Sequence, residues 1–242
     1  MTAPPGNHLL WARGLRCSHQ GSPALLGATV GVPPGEILAV LGPRGAGKST
    51  LLACLSGQLR PEAGEVWFDG TPLHSRSRGA RERLRRDRFG WVGPVPGLVP
   101  ELTARENAAL PLLLRGASYR TARRAADEWL ERLDVAPLAR RRPADLLQSQ
   151  RQRVAVARAL VTVPDVLFAD EPTAPLHRPD QAHVLRALTT AARTHRITVV
   201  LATHDPEAAR YADRTVPILD GLLDAGPAGP AQEGTAPCVT SA

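Results

Sequence analysis

An α/β architecture is predicted for this 242-residue chain, and three apolar runs predict it. Glu36 to Leu41 (EILAVL), Val166 to Ala169 (VLFA) and Ile197 to Ala202 (ITVVLA) each read as a short buried strand. Each run gives way at its C-terminal end to residues able to do chemistry: a glycine-rich loop, then Asp170-Glu171, then Thr203-His204-Asp205. Open α/β sheets bind ligands at the C-terminal ends of their strands. The candidate functional residues are therefore sought there.

The first run leads into Gly42-Pro43-Arg44-Gly45-Ala46-Gly47-Lys48-Ser49, which matches the phosphate-binding pattern GxxxxGK[ST]. Ser49 to Ser56 then reads as a helix, so strand, loop and helix follow in the order this pattern needs. Backbone N–H groups of such a loop, together with the helix N-terminus, face phosphates. Lys48 is the only lysine in the chain; every other basic residue is arginine. A compact ammonium reaches between β- and γ-phosphates where a planar guanidinium fits badly. The candidate nucleotide-binding set is Gly42, Pro43, Arg44, Gly45, Ala46, Gly47, Lys48, Ser49 and Thr50.

At the end of the second run, Asp170 is placed to hold Mg²⁺ with the Ser49 hydroxyl. Glu171, one residue on, is placed to polarise an attacking water. At the end of the third, the His204 imidazole is placed to contact a γ-phosphate. The metal candidates are thus Ser49 and Asp170, and the catalytic candidates Glu171 and His204.

Between the first two runs lies a helical region. Thr121 to Leu133 sets Ala122, Ala125, Ala126, Trp129, Leu130 and Leu133 on one face and charged residues on the other. Gln152 to Val161 reads as another helix, so a helical subdomain over about residues 95–160 is expected. Leu9 to Cys17, Gly21 to Val32 and Glu65 to Phe68 read as strands of a smaller sheet. Arg76 to Arg88 carries seven arginines and no aromatics, which suits a solvated helix face better than a nucleic-acid grip. From Gly221 the chain is rich in Gly, Pro and Ala, and disorder is expected there. The ordered domain is expected over 1–220.

Composition narrows the class. The longest apolar stretches are too short to cross a bilayer. The N-terminus lacks a basic region followed by an apolar run, so no signal peptide is expected. Cys17, Cys54 and Cys238 are widely spaced and show no metal-ligand pattern; free thiols are expected. A net charge of +7 permits an acidic partner such as nucleic acid or an anionic membrane surface.

Taken together, Gly42–Ser49, Gln150–Leu160 (QRQRVAVARAL), Ala169-Asp170-Glu171-Pro172-Thr173 and Thr203-His204-Asp205 resemble the ATP-binding subunits of ABC transporters over residues 9–220. Glu106-Asn107-Ala108-Ala109-Leu110-Pro111-Leu112 and Leu219-Asp220-Gly221 look like the lipoprotein-releasing and macrolide-export branch. The resemblance implies a P-loop NTPase (RecA-like) core with a small antiparallel β subdomain and an inserted α-helical subdomain. It implies ATP and Mg²⁺ as ligands and ATP hydrolysis as the activity. Lys48 would contact the phosphates, Ser49 and Asp170 the metal; Glu171 would be the general base and His204 the γ-phosphate sensor. His19 falls where the family stacks an aromatic ring on adenine. The implied partners are a membrane permease and a second ATPase subunit, identical or different, paired head to tail. The implied location is peripheral, on the cytoplasmic face of the membrane.

The chain departs from the family in three places. The signature sequence, usually LSGGQ, reads Leu146-Leu147-Gln148-Ser149-Gln150. Leu147 removes the hydroxyl that contacts the partner's γ-phosphate and caps a helix. Gln148 and Ser149 replace glycines that let backbone approach the nucleotide; Ser149 offers a cap from a shifted position. Pro94 stands where the family has the glutamine that reaches metal and water. His177 stands where it has an aspartate. The losses fall mainly on parts that serve the partner's site, which suggests an asymmetric dimer, with a subunit that binds ATP but hydrolyses it weakly as the alternative. Relatives that act on DNA or ribosomes carry a long coiled coil or a second ATPase domain, absent here. No specific nucleic-acid partner is expected.

Overall fold

The computed structural model describes residues 6–19, 21–174 and 176–224. Its first element, β1 (Leu10–His19), pairs antiparallel with β2 (Ser22–Val32). The buried run β3 (Ile37–Leu41) feeds the glycine loop and α1 (Lys48–Leu55). The chain then returns to the first sheet as β4 (Ala63–Phe68) and β5 (Thr71–Pro72). After α2 (Arg78–Arg88) comes β6 (Phe89–Val92), followed by α3 (Ala104–Leu114), α4 (Tyr119–Arg132) and α5 (Gln148–Leu160). The chain ends with β7 (Val166–Asp170), α6 (Arg178–His195), β8 (Thr198–Thr203), α7 (Pro206–Ala209), β9 (Arg214–Leu219) and β10 (Leu222–Leu223).

Two sheets result. The four-stranded sheet, order β2-β1-β4-β5, is antiparallel. The six-stranded sheet has the order β10-β9-β3-β8-β7-β6 and is parallel except for β10. Its central strands are buried on both faces, which is why they read as unbroken apolar runs. Alternate residues serve two cores. Ile37, Leu167, Ala169, Val199 and Leu201 pack with the helices α3 to α6. Leu38, Val40, Val166, Phe168, Val200 and Ala202 pack with α1 and the antiparallel sheet. Phe168 is fully buried and meets Phe89 edge to face at 5.4 Å; Phe89 meets Phe68 the same way at 4.8 Å. Such T-shaped pairs tie the sheets together, each worth about 0.5–1.5 kcal/mol beyond its buried area.

The three apolar runs lie at β3, β7 and β8, and all are strands as expected. Two parallel strands escape the sequence reading. Phe89–Val92 is four residues long and holds a glycine, and Arg214–Leu219 is an exposed-buried alternation broken by Pro217. Gly90 belongs in its strand because a Cβ there would come within 2.6 Å of the Ala159 carbonyl oxygen. The expected helix at Gln152 begins four residues earlier, at Gln148, and so takes in the degenerate segment.

Between β6 and β7 the helices α3, α4 and α5 pack on one another. Asn107 anchors the approach to α3. Fully buried, it accepts from Val99 N at 2.7 Å and donates to the carbonyls of Val99, Leu102 and Thr103. Thr103 and Glu106 cap α3 reciprocally, and the backbone N–H of Thr103 holds the Glu106 carboxyl below its usual range. The arginines of α2 are more tied down than a solvated face would be. Arg85 donates to the Gly57 carbonyl at 2.8 Å, and Arg88 pairs with Asp165 and lies over the Phe68 ring.

Disorder was expected from Gly221, yet residues 221–224 are part of the fold. Leu222 and Leu223 pair with β9, and Gly221 donates to the Ala46 carbonyl at 3.1 Å while accepting from Leu26 N at 2.9 Å. The remainder of that expected tail, 225–242, lies outside the described residues, as does Cys238. Cys17 and Cys54 are buried free thiols; Cys17 Sγ donates to the Ser18 carbonyl at 3.7 Å, and burial pushes Cys54 up to about 12.

Candidate nucleotide site

The glycine loop is shaped by close contacts. A Cβ on Gly42 would lie 2.1 Å from the Ile218 carbonyl oxygen, and one on Gly47 would lie 2.2 Å from that of Ala24. Gly45 and Gly47 have φ of 82° and 99°, the left-handed region that favours glycine. The loop therefore threads between β9 and β2, and α1 starts at its end. Gly45, Gly47, Lys48, Ser49 and Thr50 line a cleft of about 390 Å³ together with Ser22, Pro23 and Ala24.

Lys48 is 5% exposed, and its ammonium donates to the carbonyls of Gly42 at 2.8 Å and Pro43 at 2.9 Å. Glu171 Oε1 lies 3.3 Å from the same nitrogen. Glu171 Oε2 meets His204 Nδ1 at 2.8 Å. The segments that follow β3, β7 and β8 thus converge on one chain of polar contacts, Lys48–Glu171–His204. Glu171 itself has φ of 46° and is pinned through its N–H to the Ala202 carbonyl. A non-glycine residue held in that region carries backbone strain of about 1–3 kcal/mol, which active sites often store.

Asp170 ends β7 and is 7% exposed. Burial raises its carboxyl above the usual range, against a hydrogen bond with Ser49 that lowers it. Its Oδ1 is buried without a hydrogen-bond partner. A carboxylate oxygen so placed, beside a hydroxyl, fits a hard divalent cation such as Mg²⁺.

A second cleft, of about 250 Å³, is lined by Arg44, Gly45, Lys48, Ser49, Pro94, Glu171, Ala174 and His204. It places Pro94 among the reacting groups, where a glutamine would reach them. The segment Gly93–Gly97 is held from α5: Gln152 donates to the Gly93 carbonyl, and Arg158 to those of Pro96 and Gly97. Burial lowers the Arg158 guanidinium.

The chain belongs to the ABC transporter family. The family's model matches residues 25–174. The lipoprotein-releasing system ATP-binding protein LolD 2 of Caulobacter vibrioides is 41% identical over 202 residues, covering 84% of this chain and 89% of that protein. The macrolide export ATP-binding/permease protein MacB of Marinobacter nauticus is 39% identical over 201 residues, 83% of this chain but 31% of that longer protein. Among solved structures, a post-hydrolysis dimer of the ATP-binding cassette MJ0796 bound to ADP and Pi superposes with a TM-score of 0.81. It is 32% identical, and the match covers 88% of this chain and 95% of that one. The chain is an ABC ATP-binding subunit of the lipoprotein-releasing and macrolide-export branch, a family of Mg²⁺-dependent ATP hydrolases. Among the described residues, no helix of this ATPase is long and apolar enough to cross a membrane.

The ATPase's signature segment is placed differently from its nucleotide loop. Leu147 is the N-cap of α5, 68% exposed, with no acceptor atom. Half of a reciprocal cap survives, because Gln150 Oε1 accepts from Leu147 N at 2.9 Å. The shifted cap expected of Ser149 is not formed, and the N-cap residue Leu147 itself supplies no side-chain bond to the first turn. His177, in the aspartate's place, is the exposed N-cap of α6 and also makes no cap bond. His19 ends β1 opposite Ser22, which lines the larger cleft, so its backbone is beside the nucleotide loop; its side chain lies outside the described structure. Sequence reasoning missed Pro23, Ala24 and Gly221, which brace or line the loop from distant strands. No local pattern marks them. It also missed the roles of Gln152 and Arg158; for Arg158 the signal was a lone charge among the apolar residues of Val154 to Leu160, whereas Gln152 lies in a polar run that gives none.

Proposed function

We propose that this subunit binds MgATP in its own loop and hydrolyses it as one half of an asymmetric ATPase dimer at the cytoplasmic face of a membrane, powering export or extraction through a separate permease. The observation that carries this reading is the contrast between two sites. Lys48, Ser49, Asp170, Glu171 and His204 are assembled at hydrogen-bonding distances, while Leu147 presents an apolar side chain where a partner's γ-phosphate would need a hydroxyl.

In this reading the loop N–H groups and the Lys48 ammonium bind the phosphates. Ser49 and Asp170 hold Mg²⁺, which neutralises charge on the phosphates when bound. Glu171 takes a proton from the attacking water, and His204, hydrogen-bonded to Glu171, fixes its orientation. The γ-phosphate competes with Glu171 for Lys48, so ligand entry frees the carboxylate to face the water. The permease contacts the exposed part of the segment after β6, around Val95; Phe89 and Val92 themselves are buried in the core.

The test is repair. Leu147→Ser, Gln148→Gly and Ser149→Gly in one chain restores the hydroxyl and the close backbone approach. A hydrogen bond to a charged group is worth about 1.5–3 kcal/mol, so the ATPase rate of the purified chain rises by at least about tenfold. Pro94→Gln raises it further. A brisk rate in the wild-type chain alone refutes the asymmetric reading. A repaired chain that binds ATP and stays silent supports a non-hydrolysing subunit, the reading that Pro94 within the cleft favours.

A further inference from the structure

We propose that the groove between α4 and α6 is a binding site for a small amphipathic anion: an aromatic or alkyl body carrying one carboxylate, sulfonate or phosphate group. The groove encloses about 510 Å³, within the roughly 300–1,000 Å³ of small-molecule sites. It shares no lining residue with either nucleotide cleft.

Its chemistry is divided between floor and rim. The floor is apolar: Trp129, Leu133 and Ala191 are 5%, 1% and 8% exposed and offer an indole face, a branched alkyl group and a methyl. The rim is cationic or able to become so: Arg132 and Arg186 stand on opposite helices, with His183 and His195 beside them. No acidic side chain lines the groove. Residues 183–195 of α6 recur on one face and run about 18 Å along the helix, long enough to hold a ring or chain lengthwise.

The two rim arginines stand without carboxylate partners among the described residues, whereas His183 faces Asp134. Arg132 lies over the Trp129 ring at 4.8 Å and His195 is 5.6 Å from it, so two cationic-capable groups converge on one indole. Neither Arg132 nor Arg186 forms an ion pair among the described residues. His183 Nε2 is buried and makes no hydrogen bond, although Asp134 Oδ2 lies 3.2 Å away. A single anionic head seated between the two guanidinium groups, with its apolar body on Trp129, satisfies both halves. A triphosphate does not fit this pattern, since the groove has no glycine loop to cradle it.

The probe is 8-anilinonaphthalene-1-sulfonate, titrated into the full-length chain with and without saturating MgATP. Expected is saturable one-site binding that quenches tryptophan emission and is indifferent to MgATP. Arg132→Glu with Arg186→Glu weakens it at least tenfold, with basal ATP hydrolysis and the thermal midpoint unchanged. The uncharged N-phenyl-1-naphthylamine binds at least tenfold more weakly than the sulfonate. Displacement by MgATP, an affinity unaltered in the double variant, equal binding of the neutral probe, or no saturable binding overturns the proposal. So does an acidic peptide that binds in an arginine-dependent way where the dye does not, which makes the groove a protein-docking surface. If the double variant misfolds, His183→Ala serves in its place, with an expected weakening of about threefold or more.

Discussion

Two helix N-termini that the proposed function sets against a phosphate, those of α1 and α5, are built very differently. At the start of α1 the cap is Gly47, left-handed and packed against the Ala24 carbonyl, and the next residue, Lys48, is all but buried. At the start of α5 the cap is Leu147, exposed and without an acceptor, followed by the larger Gln148 and Ser149. The positive end of a helix dipole is present in both. Only at α1 is it joined to a tightly turned glycine loop that lines a cleft, the arrangement that turns a helix N-terminus into an anion site. On the proposed reading, the ATPase keeps its own half-site and has lost its contribution to a neighbour's.

The comparison is most severely strained by removing the chemistry at the intact end. Glu171→Gln retains ATP and lowers the hydrolysis rate by about 10²–10⁴-fold, the usual contribution of a positioned base; single-turnover phosphate release measures it. An unchanged rate removes Glu171 from that role. Lys48→Ala weakens MgATP binding by at least about a hundredfold, because several charge-assisted hydrogen bonds of about 1.5–3 kcal/mol vanish together and no other lysine replaces it. Calorimetry that finds affinity within a few-fold of wild type contradicts the loop assignment.

Smaller effects sharpen the packing half of the comparison. Gly42→Ala forces a methyl against the Ile218 carbonyl and costs about 1–3 kcal/mol in chemical denaturation, whereas Ser149→Ala, at a half-buried position whose hydroxyl forms no cap, changes stability by less than about 0.5 kcal/mol. Asp170→Asn, measured without Mg²⁺, raises the denaturation midpoint, because the buried carboxylate is held above its ordinary range chiefly by desolvation. The sign follows from linkage: a carboxyl whose folded value exceeds its unfolded one favours the fold while protonated, and that contribution is lost as pH rises through the folded value. The stabilising effect of Asp170→Asn is therefore larger at pH 7 than at pH 4. The same substitution weakens the Mg²⁺ dependence of ATP binding.

What could be read from the sequence follows from how local each feature is. The strands β3, β7 and β8 are buried on both faces, so they advertise themselves as apolar runs, and their terminal residues could be placed from order alone. The loop at Gly42–Ser49 was legible because backbone shape dictates glycine at fixed spacing. The edge strand β6 and the inner strand β9 were not, since their pairing depends on neighbours 70 or more residues distant along the chain: Phe89 with Val166 and Leu38 with Arg214. Gly221 reads as the start of a polar, glycine-rich tail until the fold brings it against Ala24 and Ala46. The degeneracy at Leu147 was visible in sequence, but its exposure and the missing cap were not.

One measurement bears on the central claim most directly. The wild-type chain is mixed with a variant that combines Leu147→Ser, Gln148→Gly and Ser149→Gly with Glu171→Gln. Each protein alone is slow, the first for want of a competent signature and the second for want of a base. The mixed dimer holds one complete site, with the wild-type Lys48–Glu171–His204 cluster facing the repaired α5. The account predicts that the mixture hydrolyses ATP at least about tenfold faster than the sum of its parts. A mixture no faster than that sum, with mixed dimers demonstrated by cross-linking, contradicts it.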